Sequence, residues 1–250
     1  MQPEIHLGPL DLQTFGICFA LAFLASGVLV GRRLHELRKP RDWAYEMVFA
    51  AMIGGVVGSR VDFLIQNWDD VSGDLVGNIF SGSGLVWFGG LVGGALGVLL
   101  WARWRGWLGL ALLDACAAPL AIGYAVGRIG CQLSGDGDYG VASDLPWAMA
   151  YPDGTVPTTQ EVHPTPVYET LAMGLATLVL WRLRDRVAPG VLFGLYLIFA
   201  GGERFLVEFI RRNDSVVAGL TLAQLLSLAM LAGGAAMLAS RRRIMSPATT

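Results

Sequence analysis

Long uninterrupted apolar runs alternate along the chain with short polar connections. Seven runs stand out, at roughly 12–31, 43–66, 84–102, 108–132, 165–181, 190–210 and 219–239. A hydrocarbon core ~30 Å thick takes about 20 helical residues at ~1.5 Å each, so every run is at or near spanning length. The runs are continuous rather than alternating with a period of two, which predicts helices and not the strands of a membrane barrel. Pro119 falls inside the fourth run and predicts a kink there. The pattern predicts an all-α, polytopic integral membrane protein with seven transmembrane helices. The longest polar stretch, about 134–163, is rich in Gly, Pro, Asp and Thr. It predicts an outer-side loop region covering a site, within a single membrane domain over 1–250.

Composition agrees with this pattern and removes several alternatives. Of the 250 residues 54% are hydrophobic and 15% charged, with a mean hydropathy of +0.54. A soluble domain carries about 25% charged residues, so this chain has too little charge to coat a water-facing surface. A net charge of −2 and a pI of about 5.9 exclude a globally basic nucleic-acid binder. Cys18, Cys116 and Cys131 are odd in number and widely spaced, which signals neither a disulfide framework nor a zinc knuckle. Neither a metal nor a cofactor is expected. Asp136-Gly137-Asp138 lacks the remaining ligand spacing of a calcium loop.

Charge placement orients the bundle. Arg32, Arg33, Arg38, Lys39 and Arg41 follow the first run, and Arg103 and Arg105 the third. Arg182, Arg184 and Arg186 follow the fifth, and Arg241, Arg242 and Arg243 the seventh. With seven spans, these thirteen of the 18 basic residues lie on one side. Arg211 and Arg212 fall in the opposite loops, beside Asp69, Asp70, Asp74, Asp136, Asp138, Asp144, Asp153 and Glu161. The positive-inside rule then predicts an outside N-terminus and a cytoplasmic C-terminus. No Lys or Arg precedes the first run, which predicts an N-out anchor rather than a cleaved leader.

Three basic residues remain, Arg60, Arg128 and Arg204, inside or at the ends of apolar runs and toward the outer half. Asp62, Asp114, Glu169, Glu203 and Glu208 share that environment, and Glu46 lies near the inner end. An ionisable group at membrane depth costs at least ~2.5 kcal/mol unless paired or hydrated, so function is the default reading. Neutralisation between neighbouring helices is the competing one, and for Asp62, Asp114 and Glu203 the two stand level. Arginines converging near the outer leaflet suit a phosphate, because guanidinium stays charged and grips phosphate oxygens in a fork. A phospholipid headgroup is the obvious phosphate at that depth. His6, His35 and His163 all fall in loops, which argues against a Ser–His intramembrane protease despite Ser81-Gly82-Ser83-Gly84. The rows Gly89/Gly93/Gly97, Gly90/Gly94 and Gly54/Gly58 predict packing seams between helices.

One segment gathers several of these features: Gly127-Arg128-Ile129-Gly130-Cys131-Gln132-Leu133-Ser134-Gly135-Asp136-Gly137-Asp138-Tyr139-Gly140. It resembles the signature of the bacterial prolipoprotein diacylglyceryl transferases, G-R-x-G-N-F-x-N-x-E followed by an aromatic residue and a glycine. Ser83-Gly84-Leu85-Val86-Trp87-Phe88-Gly89-Gly90-Leu91 resembles the family's glycine-rich third-span segment. His163-Pro164-Thr165-Pro166-Val167-Tyr168-Glu169 resembles its H-P-[ST]-x-L-Y-E element. Arg204-Phe205-Leu206-Val207-Glu208-Phe209-Ile210-Arg211 resembles R-F-x-x-E-F-x-R, and Leu220-Thr221-Leu222-Ala223-Gln224 the entry to the last span. The matches keep the family's order over nearly the whole chain.

The resemblance implies transfer of a diacylglyceryl group from phosphatidylglycerol to the lipobox cysteine thiol of a prolipoprotein, with release of glycerol phosphate. It implies a multi-pass enzyme of the bacterial cytoplasmic (inner) membrane, whose partners are phosphatidylglycerol, a lipobox peptide and membrane lipid. Arg128 and Arg204 become the essential arginines, Glu208 orients Arg204, and Asp136 stands where the signature has its glutamate. Arg60, Gly127, Gly130, Asp138, Tyr139, Gly140, Phe88, Gly89, Gly90, His163, Tyr168 and Glu169 become the substrate-binding set. The chain departs from the family at four places: a proposed base, histidine, is Phe88; the signature asparagine is Cys131; two tyrosines are Phe15 and Ala200. A phenyl ring moves no proton, so the base lies elsewhere, with Asp136, Asp138, Tyr139 and His163 as candidates, or the arginine field alone suffices. Two alternatives remain open: the same phospholipid site with a different acceptor, and a non-catalytic phospholipid-binding or transport protein.

Overall fold

The computed structural model describes residues 2–8, 10–68 and 86–245. Asp69, Asp70, Asp74, the Ser81-Gly82-Ser83-Gly84 stretch and Leu85 lie outside the described residues. Among those described, the chain is mostly helical. Strands β1 (Glu4–Leu7) and β2 (Leu10–Gln13) lead into helix α1 (Thr14–Glu36), followed by α2 (Asp42–Gln66), α3 (Trp87–Trp104) and α4 (Leu110–Ser134). Strands β3 (Met149–Tyr151) and β4 (Thr158–Val162) precede α5 (Thr165–Leu183) and α6 (Val191–Val207). A single 3-10 turn (Glu208–Ile210) and α7 (Leu222–Met245) complete the order.

The seven α-helices coincide with the seven apolar runs, and their ends follow local chemistry. Helix α1 runs beyond the apolar stretch because Arg33 pairs with Glu36 one turn on, at 2.9 Å. It stops where Arg38 takes a left-handed conformation (φ 55°) and the amide of Lys39 donates back to the Leu34 carbonyl at 2.9 Å. Helix α7 opens on a reciprocal cap: Thr221 Oγ1 accepts from the Gln224 amide at 3.2 Å, and Gln224 Oε1 accepts from the Thr221 amide at 3.1 Å. Among the described residues four helices, Thr14–Glu36, Asp42–Gln66, Leu110–Ser134 and Leu222–Ser240, are long and apolar enough to cross a membrane. Large apolar side chains such as Leu24, Leu100 and Leu171 stand more than three-fifths exposed, a surface suited to lipid rather than water.

The all-α expectation needs one correction. The chain also carries two antiparallel hairpins, β1–β2 and β3–β4, the second inside the 134–163 stretch. Strands of three to five residues set among Gly, Pro and Asp leave almost no alternation to read.

The described chain forms two compact units. One comprises the residues up to Val30 with those from Leu113 onward, and the other is Gly31–Leu112. In the second unit α2 and α3 meet along the predicted glycine rows. A Cβ on Gly93 would collide with the Gly54 carbonyl, and one on Gly58 with the Gly89 carbonyl. Asp62 of α2 accepts the Gly89 amide at 2.9 Å, supplying an acceptor to the otherwise unpaired start of α3. At the other end Glu46 accepts from Trp101 Nε1 at 2.7 Å and Arg105 Nε at 2.8 Å.

In the first unit a row of small side chains on α4, Ala117, Ala118, Ala121 and Ala125, packs with Met173, Ala176 and Leu180 of α5 and Leu192 of α6. Pro119 sits inside α4, and its carbonyl accepts Ser26 Oγ of α1 at 2.9 Å. Asp114 of α4 accepts the amides of Gly190 and Phe193 at 2.6 and 2.9 Å, capping α6. The loop after α4 is tied down at several points. Gly140 N donates to His163 O and Val141 N to Ile210 O, both at 2.8 Å. Tyr139 stacks on Tyr151 with ring centroids 4.8 Å apart. This fixes the chain between α4 and α5 over the ends of α4 and α6.

Candidate active site

Tyr124 and Arg128 are four residues apart on α4 and therefore share one face. Glu169 enters from the first turns of α5, Arg204 and Glu208 from the end of α6 and its 3-10 turn, and Asp138 from the loop after α4. Glu169 is wholly buried at the centre. Its carboxylate accepts the Tyr124 hydroxyl at 2.7 Å and lies 3.1 Å from Arg128 Nε, 3.6 Å from Arg204 Nη1 and 3.7 Å from Arg211 Nη1. Asp138 bridges two arginines, one oxygen on Arg128 and the other on Arg211. Glu208 holds Arg204 Nη2 at 2.8 Å and accepts Thr221 Oγ1 at 2.7 Å and Asn213 Nδ2 at 2.8 Å. Three guanidinium groups thus face three carboxylates in one buried network. Nη1 of Arg204 and of Arg211 are buried and make no hydrogen bond among the described residues, so donor capacity remains for an anion.

Around the network lie loop residues with distinct environments. Asp138 is held below the usual carboxylate range: burial pushes it up, but the charges of Arg128 and Arg211 outweigh that. Asp136 is raised, first by burial and then by the charge of Asp138. Its Oδ1 accepts the Asp138 amide at 3.3 Å. Ligand atoms of Cys131, Asp136 and Asp138 lie within 4.8 Å of one another, but Asp138 is already engaged by two arginines. An open apolar groove of about 460 Å³ runs alongside, lined by Trp147, Met149, Pro164, Val167, Tyr168 and Leu171.

The two aspartates affect stability with opposite signs. Asp138, with its lowered value, adds stability above the ordinary carboxylate range that is lost as pH falls through its folded value. Asp136, with its raised value, adds stability below that range that is lost as pH rises through its folded value. At pH 7, Asp138→Asn is expected to destabilise by about 3 kcal/mol, the scale of breaking a mostly buried ion pair. Asp136→Asn is expected to be neutral or stabilising at pH 7. Thermal unfolding of the detergent-solubilised protein at pH 7 and at a pH well below the ordinary carboxylate range checks both, and the gap between Asp138→Asn and the parent should narrow at the lower pH.

A family profile described as prolipoprotein diacylglyceryl transferase matches residues 3–240. The chain belongs to that family. It is 30% identical to the phosphatidylglycerol–prolipoprotein diacylglyceryl transferase of Clostridium tetani, over 91% of this chain and 93% of the relative. It is 32% identical to the Methylococcus capsulatus protein of the same name, over 94% and 93%. It is also 32% identical to the one from Pseudomonas fluorescens, over 92% and 89%.

Set on this transferase fold, the residues singled out in the sequence divide into groups. Arg128, Arg204, Glu208, Asp138 and Glu169 meet in the network. Asp136 stands beside it and touches no arginine in any ion pair among the described residues. Tyr139 is buried, donating its hydroxyl to Val156 O at 2.9 Å, beneath the guanidinium of Arg212. His163 Nδ1 lies 3.3 Å from the Tyr168 hydroxyl, which accepts Trp147 Nε1 at 2.7 Å, and Tyr168 and Trp147 line the apolar groove. Gly130 lets α1 approach, since a Cβ there would lie 2.8 Å from that of Cys18. Gly140 lets the loop cross Ile210, and Gly127 has open space around it. Arg60, Phe88, Gly89 and Gly90 belong to the other unit, where Arg60 is buried with its guanidinium 4.9 Å from the Phe63 ring.

Sequence reasoning missed Arg211, which counting had placed among loop decorations. Its side chain is 8% exposed, and the 3-10 turn returns it to Asp138 and Glu169. The last letter of the R-F-x-x-E-F-x-R element was the available signal. Tyr124, Asn213 and Thr221 were missed as well, and uncharged partners of buried charges leave no mark in a charge count.

Proposed function

We propose that the protein transfers the diacylglyceryl group of phosphatidylglycerol to the cysteine thiol of a prolipoprotein lipobox, with glycerol phosphate as the leaving group. One observation carries this reading: three arginines of a diacylglyceryl transferase converge in a buried network at the ends of apolar helices, and two of them, Arg204 and Arg211, keep unspent donors. Arg128, Arg204 and Arg211 hold the lipid phosphate, with Asp138 yielding its place between Arg128 and Arg211. Glu169 and Glu208 keep the guanidinium groups oriented when no lipid is bound. In the reaction the thiol sulfur attacks the glyceryl carbon that bears the phosphate ester. The C–O bond breaks, a thioether C–S bond forms, and the bonding pair leaves on glycerol phosphate. The arginines stabilise the charge gathering on that phosphate.

The apolar groove along α5 supports an acyl chain lying beside the network. Arg60, Gly127, Gly130, Tyr139, Gly140, Phe88, Gly89, Gly90, His163 and Tyr168 stay in the proposed substrate-binding set. In the membrane all seven helices span, the N-terminus faces outward, the C-terminus is cytoplasmic, and the site opens toward the outer leaflet of the bacterial inner membrane. Purified protein is expected to add the mass of a diacylglyceryl group to a lipobox peptide in phosphatidylglycerol micelles and not in phosphatidylethanolamine micelles. No mass gain with either lipid contradicts the proposal. Phe88, which stands at the position of a proposed base, favours a second reading in which the acceptor is not a peptide thiol. New lipid products formed without peptide would establish it.

A further inference from the structure

Three acids within the apolar runs, Asp62, Asp114 and Glu203, could not be assigned from sequence, and the structure separates them. Asp62 caps α3 through the Gly89 amide and also accepts Gln66 Nε2 at 3.0 Å. Asp114 caps α6 through Gly190 and Phe193. Both are accounted for by unpaired helix N–H groups. Glu203 has no such duty. Its Oε1 is buried and accepts no hydrogen bond, and Glu203 forms no ion pair among the described residues. Yet it adjoins Arg204 on α6, and its charge is felt by Tyr124 and Arg128 of α4, Glu169 of α5, and Arg204 and Arg211.

A charge balance shows what sets it apart. Arg128, Arg204 and Arg211 are matched one for one by Asp138, Glu169 and Glu208, and each of those carboxylates is engaged by at least one guanidinium. Putting a proton on any of the three would break an ion pair. Asp136 is occupied by the Asp138 amide, and His163 by Tyr168. Glu203 is the surplus acid beside the network: among the described residues it makes neither an ion pair nor a hydrogen bond, so a proton placed on it displaces no partner. A buried carboxylate oxygen is ordinarily paired, because leaving it unpaired is unfavourable, so Glu203 Oε1 is a standing acceptor for a proton.

We propose that Glu203 is a catalytic residue, the general base that accepts the proton of the incoming thiol. The inference rests on the transfer reaction proposed above. The Glu203 carboxylate takes the S–H proton as the sulfur pair attacks the glyceryl carbon. The C–O bond pair departs on glycerol phosphate, and Glu203 then gives its proton to a departing phosphate oxygen. No external acid, base or metal is consumed. A base held apart from the phosphate-binding carboxylates lets one network grip the anion and receive the proton without either act undoing the other. It also supplies the proton acceptor that Phe88 does not.

The test compares a thiol and a selenol acceptor. A selenocysteine lipobox peptide is ionised at neutral pH and needs no base. With the cysteine peptide, Glu203→Gln is expected to lower kcat by about 10²-fold or more and to remove the acid limb of the pH–rate profile. Retention of phosphatidylglycerol should be unchanged, and Glu203→Asp should recover part of the rate. With the selenocysteine peptide, Glu203→Gln should match the parent within about twofold. Equal defects with both peptides mean a merely structural role and overturn the inference. So does a Glu203→Gln enzyme as fast as the parent with the same acid limb. Absence of transfer by the parent itself rejects the underlying reaction instead.

Discussion

Arg128→Ala is expected to lower kcat/KM for transfer by at least about 10³-fold, and Arg128→Lys by about 10²-fold. The larger figure follows from the loss of a preorganised donor to developing negative charge, each worth about 10²–10³ before any collapse of neighbours. Collapse adds to it here, because Arg128 touches Asp138, Glu169 and Tyr124 together. Removing it frees Asp138 to move wholly onto Arg211 and leaves Glu169 with the Tyr124 hydroxyl and only the two longer guanidinium contacts, at 3.6 and 3.7 Å. The lysine variant isolates geometry from charge. An ammonium restores the charge but cannot present a planar fork to two acceptors at once. Rates of peptide mass gain across a series of lipid concentrations check both variants. A lysine enzyme within about threefold of the parent would mean that charge alone suffices.

Glu169→Ala is expected to give the largest stability loss of any single substitution in the network, about 3–5 kcal/mol. Glu169 is fully buried and is the only carboxylate approached by all three guanidinium groups among the described residues. Without it, Arg128, Arg204 and Arg211 repel one another in a medium that screens little. The Tyr124 hydroxyl also loses its acceptor. A second substitution separates repulsion from simple cavity formation. Arg211→Met removes one of the uncompensated charges, so in the Glu169→Ala background it should recover part of the loss. In the parent the same change should destabilise. Chemical unfolding in mixed micelles across this double-mutant cycle measures the coupling. Equal effects of Arg211→Met in both backgrounds would remove Glu169 from its central place.

The helices were legible in the sequence because each is a single apolar stretch bounded by arginines or turns, a property local to the chain. The glycine seams were legible for the same reason, since a spacing of four repeats within one helix. What escaped depends on contacts between distant segments. For Asp62 and Asp114 the sequence left chemistry and neutralisation level, and each in fact caps a different helix, 27 and 76 residues away at Gly89 and Gly190. Arg211 looked like a surface residue until the 3-10 turn after α6 brought it to the interior. Asp136 was favoured over Asp138 by its place in the signature, yet two left-handed glycines, Gly135 (φ 60°) and Gly137 (φ 91°), turn the loop so that Asp138 meets the arginines. Motif spacing locates a loop, and its backbone conformation selects which side chain reaches the site. Glu203 was visible as a charge within an apolar run, but its lack of a partner became visible only once every neighbour had been paired.

The central claim is that three arginines hold the phosphate of phosphatidylglycerol while a thiol displaces it. Its most direct measurement follows both products at once: diacylglyceryl-peptide by mass and glycerol phosphate by enzymatic assay, from purified protein, phosphatidylglycerol and a cysteine lipobox peptide. The account predicts that the two appear in equal amounts, and that Arg128→Ala, Arg204→Ala and Arg211→Ala each suppress both. Peptide modification without glycerol phosphate release, or full transfer by all three alanine variants, would contradict it.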